Sequence, residues 1–110
     1  MQENDKPVFI YTTFPDALTA EKAGERLVDE GLAACVNILR GMTSIYRWQG
    51  NVCRASEVVM IVKTRSGLAE AAMEAVAGLH PYDTPAQLIL PVEGGAAPYL
   101  EWLMSSMRPG

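Results

Sequence analysis

Residues 32–64 read LAACVNILRGMTSIYRWQGNVCRASEVVMIVKT, and this segment sets the architecture of the chain. It opens with a strand-like run to Trp48 that is interrupted at Arg40-Gly41, where a bulge or bend is expected. Gln49-Gly50-Asn51 is a turn signal, and residues 52–64 form a second strand-like run. The segment therefore predicts one β-hairpin with strands much longer than the usual five or six residues.

Before the hairpin, the sequence predicts one strand and one helix. Residues 8–13 are rich in β-branched and aromatic side chains, which favours a strand, and Asp16 is a suitable helix cap. The next segment has small and apolar residues at helical spacing, ending before Gly31, which suits the left-handed end of a helix: Ala20, Ala23, Gly24, Leu27 and Val28.

After the hairpin, Ser66 is expected to cap a second helix that ends near a proline-rich loop, residues 80–85. Residues 87–92 predict a fourth strand, and Pro98 lies in the first turn of a last helix. The element order β-α-β-β-α-β-α predicts an α+β, ferredoxin-like βαββαβ fold with an extra C-terminal helix. We expect a single domain over residues 1–110, with a four-stranded antiparallel sheet and a long central hairpin.

One face of the predicted sheet has no helical cover. Residues 58–62 (Val-Val-Met-Ile-Val) are apolar without polar alternation, so both faces of this strand need to be shielded from water. The two main helices shield only one face. The open face would carry exposed Val, Ile and Met, and patches of that kind mark association sites, so the pattern predicts a homo-oligomer.

Composition excludes several classes of protein. The chain has 110 residues, is 49% hydrophobic and 20% charged, and carries a formal net charge of -4. It has no basic cluster for nucleic acid and no apolar run of about 20 residues for membrane insertion. Residues 1–7 are polar, and the apolar run after them is too short for a signal sequence, so we expect a cytoplasmic protein.

The two cysteines are expected to be free thiols. Hairpin pairing would place Cys35 near Thr64 and Cys53 near Tyr46. At the rise of a strand the two sulfur atoms would then lie about 35 Å apart, too far for a disulfide. Free thiols suit a reducing compartment.

Taken in order, several segments resemble the CutA divalent-cation tolerance family, over residues 8–107. The segments are Thr13-Phe14-Pro15-Asp16, Leu32-Ala33-Ala34-Cys35-Val36-Asn37, Ser44-Ile45-Tyr46-Arg47-Trp48-Gln49-Gly50, Glu57 through Lys63-Thr64-Arg65, His80-Pro81-Tyr82-Asp83-Thr84-Pro85 and Tyr99-Leu100-Glu101-Trp102. The resemblance implies a homotrimer whose sheets pack around a threefold axis, similar to the PII signalling proteins. It also implies copper tolerance and binding of divalent metal ions, and it implies no known reaction.

The resemblance also points to metal ligands. The positions of the family's assigned copper ligands are occupied here by Thr12, Leu79 and His80, of which only His80 is a good ligand. His80 is therefore a candidate metal ligand or proton carrier, and the alternative is that it caps the second helix through its last carbonyl groups. Cys35 is a candidate soft ligand for copper, and the alternative is a small core residue.

The resemblance further implies a pocket between subunits, formed by Tyr46, Trp48, Glu57, Lys63 and Tyr82. In an alternative interpretation, Glu57 and Lys63 belong to an intersubunit salt-bridge network that fixes strand register, since a buried charge needs a partner. The large aromatic side chains would then serve packing.

The chain has no P-loop, no nucleophile elbow and a single histidine, so we expect it not to be an enzyme. The leading hypothesis is a trimeric divalent metal ion (copper) tolerance protein that binds Cu or another divalent cation weakly and has no organic cofactor. The alternative hypothesis is a PII-like signalling trimer that binds a small anionic ligand in its intersubunit clefts.

Overall fold

The computed structural model describes residues 5–109; the sequence-based statements about residues 1–4 and Gly110 lie outside this range. The chain folds into seven elements: β1 (Pro7–Phe14), α1 (Ala17–Asp29), β2 (Cys35–Trp48), β3 (Asn51–Arg65), α2 (Ser66–Leu79), β4 (Gln87–Pro91) and α3 (Ala97–Ser105). The strands form an antiparallel sheet in the order β2-β3-β1-β4. The predicted α+β fold, with its long hairpin and C-terminal helix, is confirmed.

Helix α1 begins and ends at the residues that the sequence indicates. Oδ1 of Asp16 accepts a hydrogen bond of 2.8 Å from the Thr19 N–H, which satisfies a free donor of the first turn. After the helix, Gly31 adopts a φ of 71°, a conformation that side chains rarely allow. The predicted apolar face of α1 is confirmed at four positions, which are buried, namely Ala20, Ala23, Gly24 and Leu27. The fifth, Val28 in the last turn, is exposed.

The prediction that Ser66 caps α2 is wrong, both in the residue at the cap position and in the side chain that makes the capping bond. Ser66 is the first helical residue, and Arg65, at the cap position, makes no side-chain capping bond. Instead, Oδ1 of Asp5 accepts from the Gly67 N–H at 2.9 Å and from the Ser66 hydroxyl at 3.2 Å. The capping carboxylate therefore comes from the segment before β1, about 60 residues away in sequence, which local patterns do not reveal.

The hairpin contains the predicted bulge. From the tip, Trp48 pairs with Asn51 and the pairing continues to Met42 opposite Glu57, but the register shifts between Leu39 and Met42. Two residues of β2, Arg40 and Gly41, thus oppose one residue of β3, and Gly41 has a φ of 78°.

The bulge changes the pairing of the first cysteine. Cys35 lies opposite Lys63, not Thr64 as the unbulged register predicts, whereas Cys53 lies opposite Tyr46 as expected. Both thiols are free.

The bulge also reverses the alternation of side chains along β2. Side chains alternate between the two faces along a strand, and one extra residue reverses the alternation beyond it. Tyr46 and Trp48 pair with Cys53 and Asn51 of β3, so they share a face with Glu57. This is also the face of Val59 and Lys63, opposite the two long helices.

The core lies on the other side of the sheet, where α1 and α2 cover Ile10, Met60 and Val62, all fully buried. Helix α3 packs across one end of the open face, where Nζ of Lys63 donates a hydrogen bond of 3.0 Å to the Tyr99 hydroxyl.

The rest of the open face is apolar, but its exposed residues differ from the expected Val, Ile and Met. Val59 is buried, and three leucines are exposed beside the aromatic side chains of the hairpin tip, namely Leu39 (56% exposed), Leu88 (59%) and Leu90 (44%). Leucines at the edge strands β2 and β4 are exposed because a central strand has neighbours on both sides and an edge strand has one. Among the described residues, no helix is long and apolar enough to span a membrane.

Candidate functional site

A cavity of about 650 Å³ lies between the hairpin and the loop that follows α2. We call it the hairpin pocket, and the residues that line it are Thr13, Tyr46, Trp48, Ala55, Glu57, Tyr82, Asp83, Thr84 and Ala86. Four of the five pocket residues proposed from the sequence are brought together here, and the fifth, Lys63, does not line the cavity. Sequence reasoning missed Asp83 and Thr84, although their place beside Tyr82 in a proline-bounded loop was an available signal.

Two of the side chains that line the pocket form a hydrogen-bonded pair. The hydroxyl of Tyr82 donates to Oε2 of Glu57 at 2.9 Å. Burial raises the pKa of Tyr82 to about 12, and the hydrogen bond to Glu57 and the negative charges of Glu57 and Asp16 act in the same direction. Tyr82 is therefore a neutral hydrogen-bond donor at physiological pH, in surroundings that oppose negative charge.

His80 holds the loop that carries Tyr82. Its Nε2 lies 2.6 Å from the carbonyl oxygen of Thr13, and its Nδ1 accepts a hydrogen bond of 3.1 Å from the Tyr82 N–H. These partners require the neutral ring with the proton on Nε2. The ring also stacks on Phe14, with centroids 4.3 Å apart. His80 occupies the C-cap position of α2, but its ring binds β1 and the loop instead of the last helix carbonyls.

Charge and aromaticity together define what the pocket can bind. Its lining includes two carboxylates, Glu57 and Asp83, and none of the described lining residues is Lys or Arg. Three aromatic side chains stand beside these carboxylates: Tyr46, Trp48 and Tyr82. Electronegative ring faces and carboxylates both attract positive charge, so the pocket is suited to a cation.

Lys63 belongs to a different cluster, under α3. Its ammonium group lies 5.6 Å from the centre of the Phe9 ring and 5.3 Å from that of Tyr99, and Sγ of Cys35 lies 3.9 Å from the Tyr99 hydroxyl. The hydrogen bond to Tyr99 raises the pKa of Lys63. Six residues of strand separate Lys63 from Glu57, about 20 Å, so the two charges are not paired within one chain.

The two candidate metal ligands are also apart. His80 is bonded to Thr13, which pairs with Val59, whereas Cys35 pairs with Lys63, about 13 Å farther along β3. Within residues 5–109, no three His, Cys, Asp or Glu side chains are grouped so that they could hold a metal ion.

The copper ligand positions implied by the resemblance do not fit that metal in this chain. Thr12 is fully buried, and its hydroxyl has no hydrogen-bond partner among the described residues. Leu79 offers no donor atom, and both ring nitrogens of His80 already have partners. The conventional set of sulfur and imidazole donors is therefore not assembled here.

Comparison with known proteins matches residues 8–106 to the model of the CutA1 divalent ion tolerance protein family. The chain is 43% identical to "Protein CutA, chloroplastic" of Arabidopsis thaliana, over 98% of this chain and 61% of that protein. It is 40% identical to "Divalent-cation tolerance protein CutA" of Pectobacterium atrosepticum, over 96% of this chain and 99% of that protein. The crystal structure of CutA1 from Oryza sativa superposes with a TM-score of 0.92, at 39% identity and 96% coverage of both chains.

The chain thus spans about three fifths of the length of the Arabidopsis relative and nearly all of the bacterial one. The residues that carry the hairpin, the bulge and the pocket all fall within the matched range. The chain belongs to the CutA1 divalent ion tolerance protein family.

Proposed function

We propose that this chain acts in divalent-cation tolerance as a homotrimer that binds divalent cations weakly, at the hairpin pocket. The observation that carries the proposal is the lining of this pocket, where Glu57 and Asp83 stand without a cationic side chain among the described residues. The name of the Pectobacterium relative, a divalent-cation tolerance protein, supports the same class of ligand.

Weak binding follows from the few donors that one chain supplies. One oxygen of Glu57 already accepts the hydrogen bond of Tyr82, and divalent cations need several oxygen ligands for tight binding. Most of the coordination shell would be water, which leaves the ion exchangeable.

Copper is one of the cations proposed, and for copper a second candidate location is the set of ligands predicted from the sequence. Cys35 and His80 could serve as ligands only if donors from different subunits met and His80 gave up a bond to Thr13 or Tyr82. The pocket carboxylates need no such rearrangement, so they are the preferred location.

Apolar surface supports the homotrimer. In addition to the leucines of the open face, the hairpin arm exposes Ile45 (61%) and Val52 (66%). Exposed apolar patches of this kind mark association surfaces, and copies of the same chain are the simplest cover.

The alternative of a PII-like trimer that binds a small anion in these clefts is less favoured. The one cation among the sequence-predicted pocket residues, Lys63, lies under α3, and the described lining of the pocket is acidic. An anion would be repelled unless a neighbouring subunit supplied positive charge.

We also propose a non-catalytic role in the cytoplasm. The support for the compartment is that Cys35 and Cys53 are both free thiols, which a reducing compartment maintains. Cell fractionation tests this assignment, and recovery of the protein in an organelle or in the periplasm would overturn it.

Calorimetric titration with Mn²⁺, Zn²⁺ and Cu²⁺ tests the cation site. Glu57→Gln should weaken binding several-fold, while Glu74→Gln, a matched change at an exposed carboxylate on α2, should leave it unchanged. Binding that is insensitive to Glu57→Gln but lost in Cys35→Ser would place the metal at the other location. Sedimentation at micromolar concentration should give three chain masses, and a monomer would overturn the trimer.

A further inference from the structure

We propose that the hairpin pocket selects a small organic ammonium ion, held between the rings of Tyr46, Trp48 and Tyr82 and against the carboxylate of Glu57. This inference deepens the proposed function, because both assign cation binding to the same pocket. It adds a requirement for a carbon-bearing cation, which a hydrated metal ion does not meet.

The aromatic lining of the pocket favours an organic cation over a metal ion. Three of the nine lining residues are aromatic, and one of them is Trp48, the ring type with the strongest attraction for cations. A divalent metal ion keeps a tightly held water shell and cannot touch a ring face closely. A quaternary ammonium ion has no N–H donor and is weakly hydrated, so its methyl groups can pack on the ring while the charge is attracted to it.

The carboxylate of Glu57 suits a ligand with a single positive charge. The Tyr82 hydroxyl fixes Glu57 through Oε2, at 2.9 Å, so the carboxylate is oriented before any ligand arrives. Among the described residues nothing else binds it, and its other oxygen remains available to a positive group. A single fixed carboxylate beside aromatic faces suits one ammonium charge, whereas a divalent metal ion needs more donors.

The pocket has the size of a site for a small organic molecule. A volume of about 650 Å³ falls within the range of small-molecule sites and far exceeds the space of a single metal ion. The Trp48 side chain is 63% exposed, so most of its surface makes no contact within the chain and can pack against a ligand. Asp83 adds a second negative charge to the lining, which would raise the local concentration of any cation.

The experiment uses Trp48 as the reporter. The chain has two tryptophans, and Trp102 packs beside Tyr99 on α3, away from the pocket. A Trp102→Phe variant therefore reports on Trp48 alone. Titration with choline should give a saturable change in Trp48 emission, with sodium chloride at matched concentrations as the salt control.

A matched ligand keeps the test independent of any pocket variant. 3,3-Dimethyl-1-butanol has the shape of choline without its charge, and we expect it to bind about tenfold more weakly, as a cation–π and carboxylate contribution predicts. Glu57→Gln should weaken choline binding by a similar factor, and Glu74→Gln should not. Equal binding of the neutral compound, or no saturable change with choline, overturns the inference.

The metal titration separates this inference from the proposed function. Measured by calorimetry, which does not depend on the tryptophan reporter, Trp48→Leu should abolish choline binding and leave Mn²⁺ and Zn²⁺ binding intact, because metal ions use carboxylates rather than rings. Metal binding without choline binding overturns the inference and leaves the proposed function standing. Choline binding without metal binding supports the inference and overturns the assignment of divalent cations to this pocket.

Discussion

Nε2 of His80 donates a hydrogen bond of 2.6 Å to the carbonyl oxygen of Thr13, and this bond joins the loop after α2 to the end of β1. The other ring nitrogen accepts from the Tyr82 N–H, so one side chain connects the sheet to the wall of the pocket. The only histidine of the chain is thus a positioning residue for Tyr82.

Replacement of His80 by alanine should destabilise the fold by about 3 kcal/mol, since it removes two hydrogen bonds and the packing against Phe14. Chemical unfolding followed by circular dichroism at fixed protein concentration measures the loss. Leu79→Ala, at the preceding and partly exposed position, is the control and should cost much less. Equal losses in the two variants would contradict the positioning role.

Tyr82 should titrate with a pKa of about 12, above the ordinary value of 10.0. A tyrosine with a raised folded-state pKa contributes stability that is complete below pH 10 and is lost as the pH rises through the folded value. Ultraviolet absorbance of the phenolate measures the titration. Tyr82→Phe should remove the highest step, and Glu57→Gln should lower it. An unchanged titration in Glu57→Gln would show that burial alone sets the value.

Local signals sufficed for much of the fold. The hairpin, the bulge and the start of α1 were predictable because each depends on neighbours in sequence, such as the glycine at position 41 and the Asp16 cap. The cap of α2 was not predictable, because its acceptor is Asp5 from before β1.

The site was only partly predictable. Alternation along β3 places Glu57 and Lys63 on one face, but it does not tell which end a later helix covers, and α3 covers the end at Lys63. The partners of His80 could not be inferred either, since Thr13 is 67 residues away in sequence.

The ion pair of Asp5 and Arg65 should make stability fall in acid. Both side chains are nearly buried, at 1% and 8% exposure. Burial alone would raise the pKa of Asp5, but the Gly67 N–H, Arg65 and Ser66 together hold it below the ordinary 3.8. A lowered carboxyl pKa gives stability that is present above the ordinary value and is lost as the pH falls through the folded value.

Asp5→Asn should therefore cost about 3 kcal/mol at neutral pH, because it leaves the Arg65 charge buried without its partner. Urea unfolding at neutral pH and below the carboxyl pKa of 3.8 measures the effect, and the difference from wild type should shrink in acid. Glu74→Gln is the exposed control. A deficit that stays constant across this pH range would show that the ion pair is not its source.

The same substitution in two helices should have opposite effects. A Cβ atom on Gly24 would lie 2.6 Å from Cγ2 of Val36, so Gly24→Ala should destabilise by about 2 kcal/mol through overpacking of α1 on β2. Gly78, in α2, has open space at that position, so Gly78→Ala should stabilise by up to about 1 kcal/mol. Thermal unfolding compares them. Rescue of Gly24→Ala by Val36→Ala would identify the contact, and equal effects of the two glycine variants would argue against close packing.

Deletion of Arg40 should remove the bulge and leave the aromatic side chains of the hairpin tip facing the pocket. The pairs Leu39–Val59 and Met42–Glu57 lie three residues apart on β2 and two apart on β3, so the deletion restores an equal count and keeps both pairs. The tip then keeps its register with β3, and we expect the Trp48 response to choline to persist in the Trp102→Phe background. Gly41→Ala keeps the bulge and meets open space, so it should cost only about 1 kcal/mol of strain at φ 78° and also keep the response. A deletion variant that loses the response would mean that the bulge, and not the register set by the turn, determines the facing of Trp48.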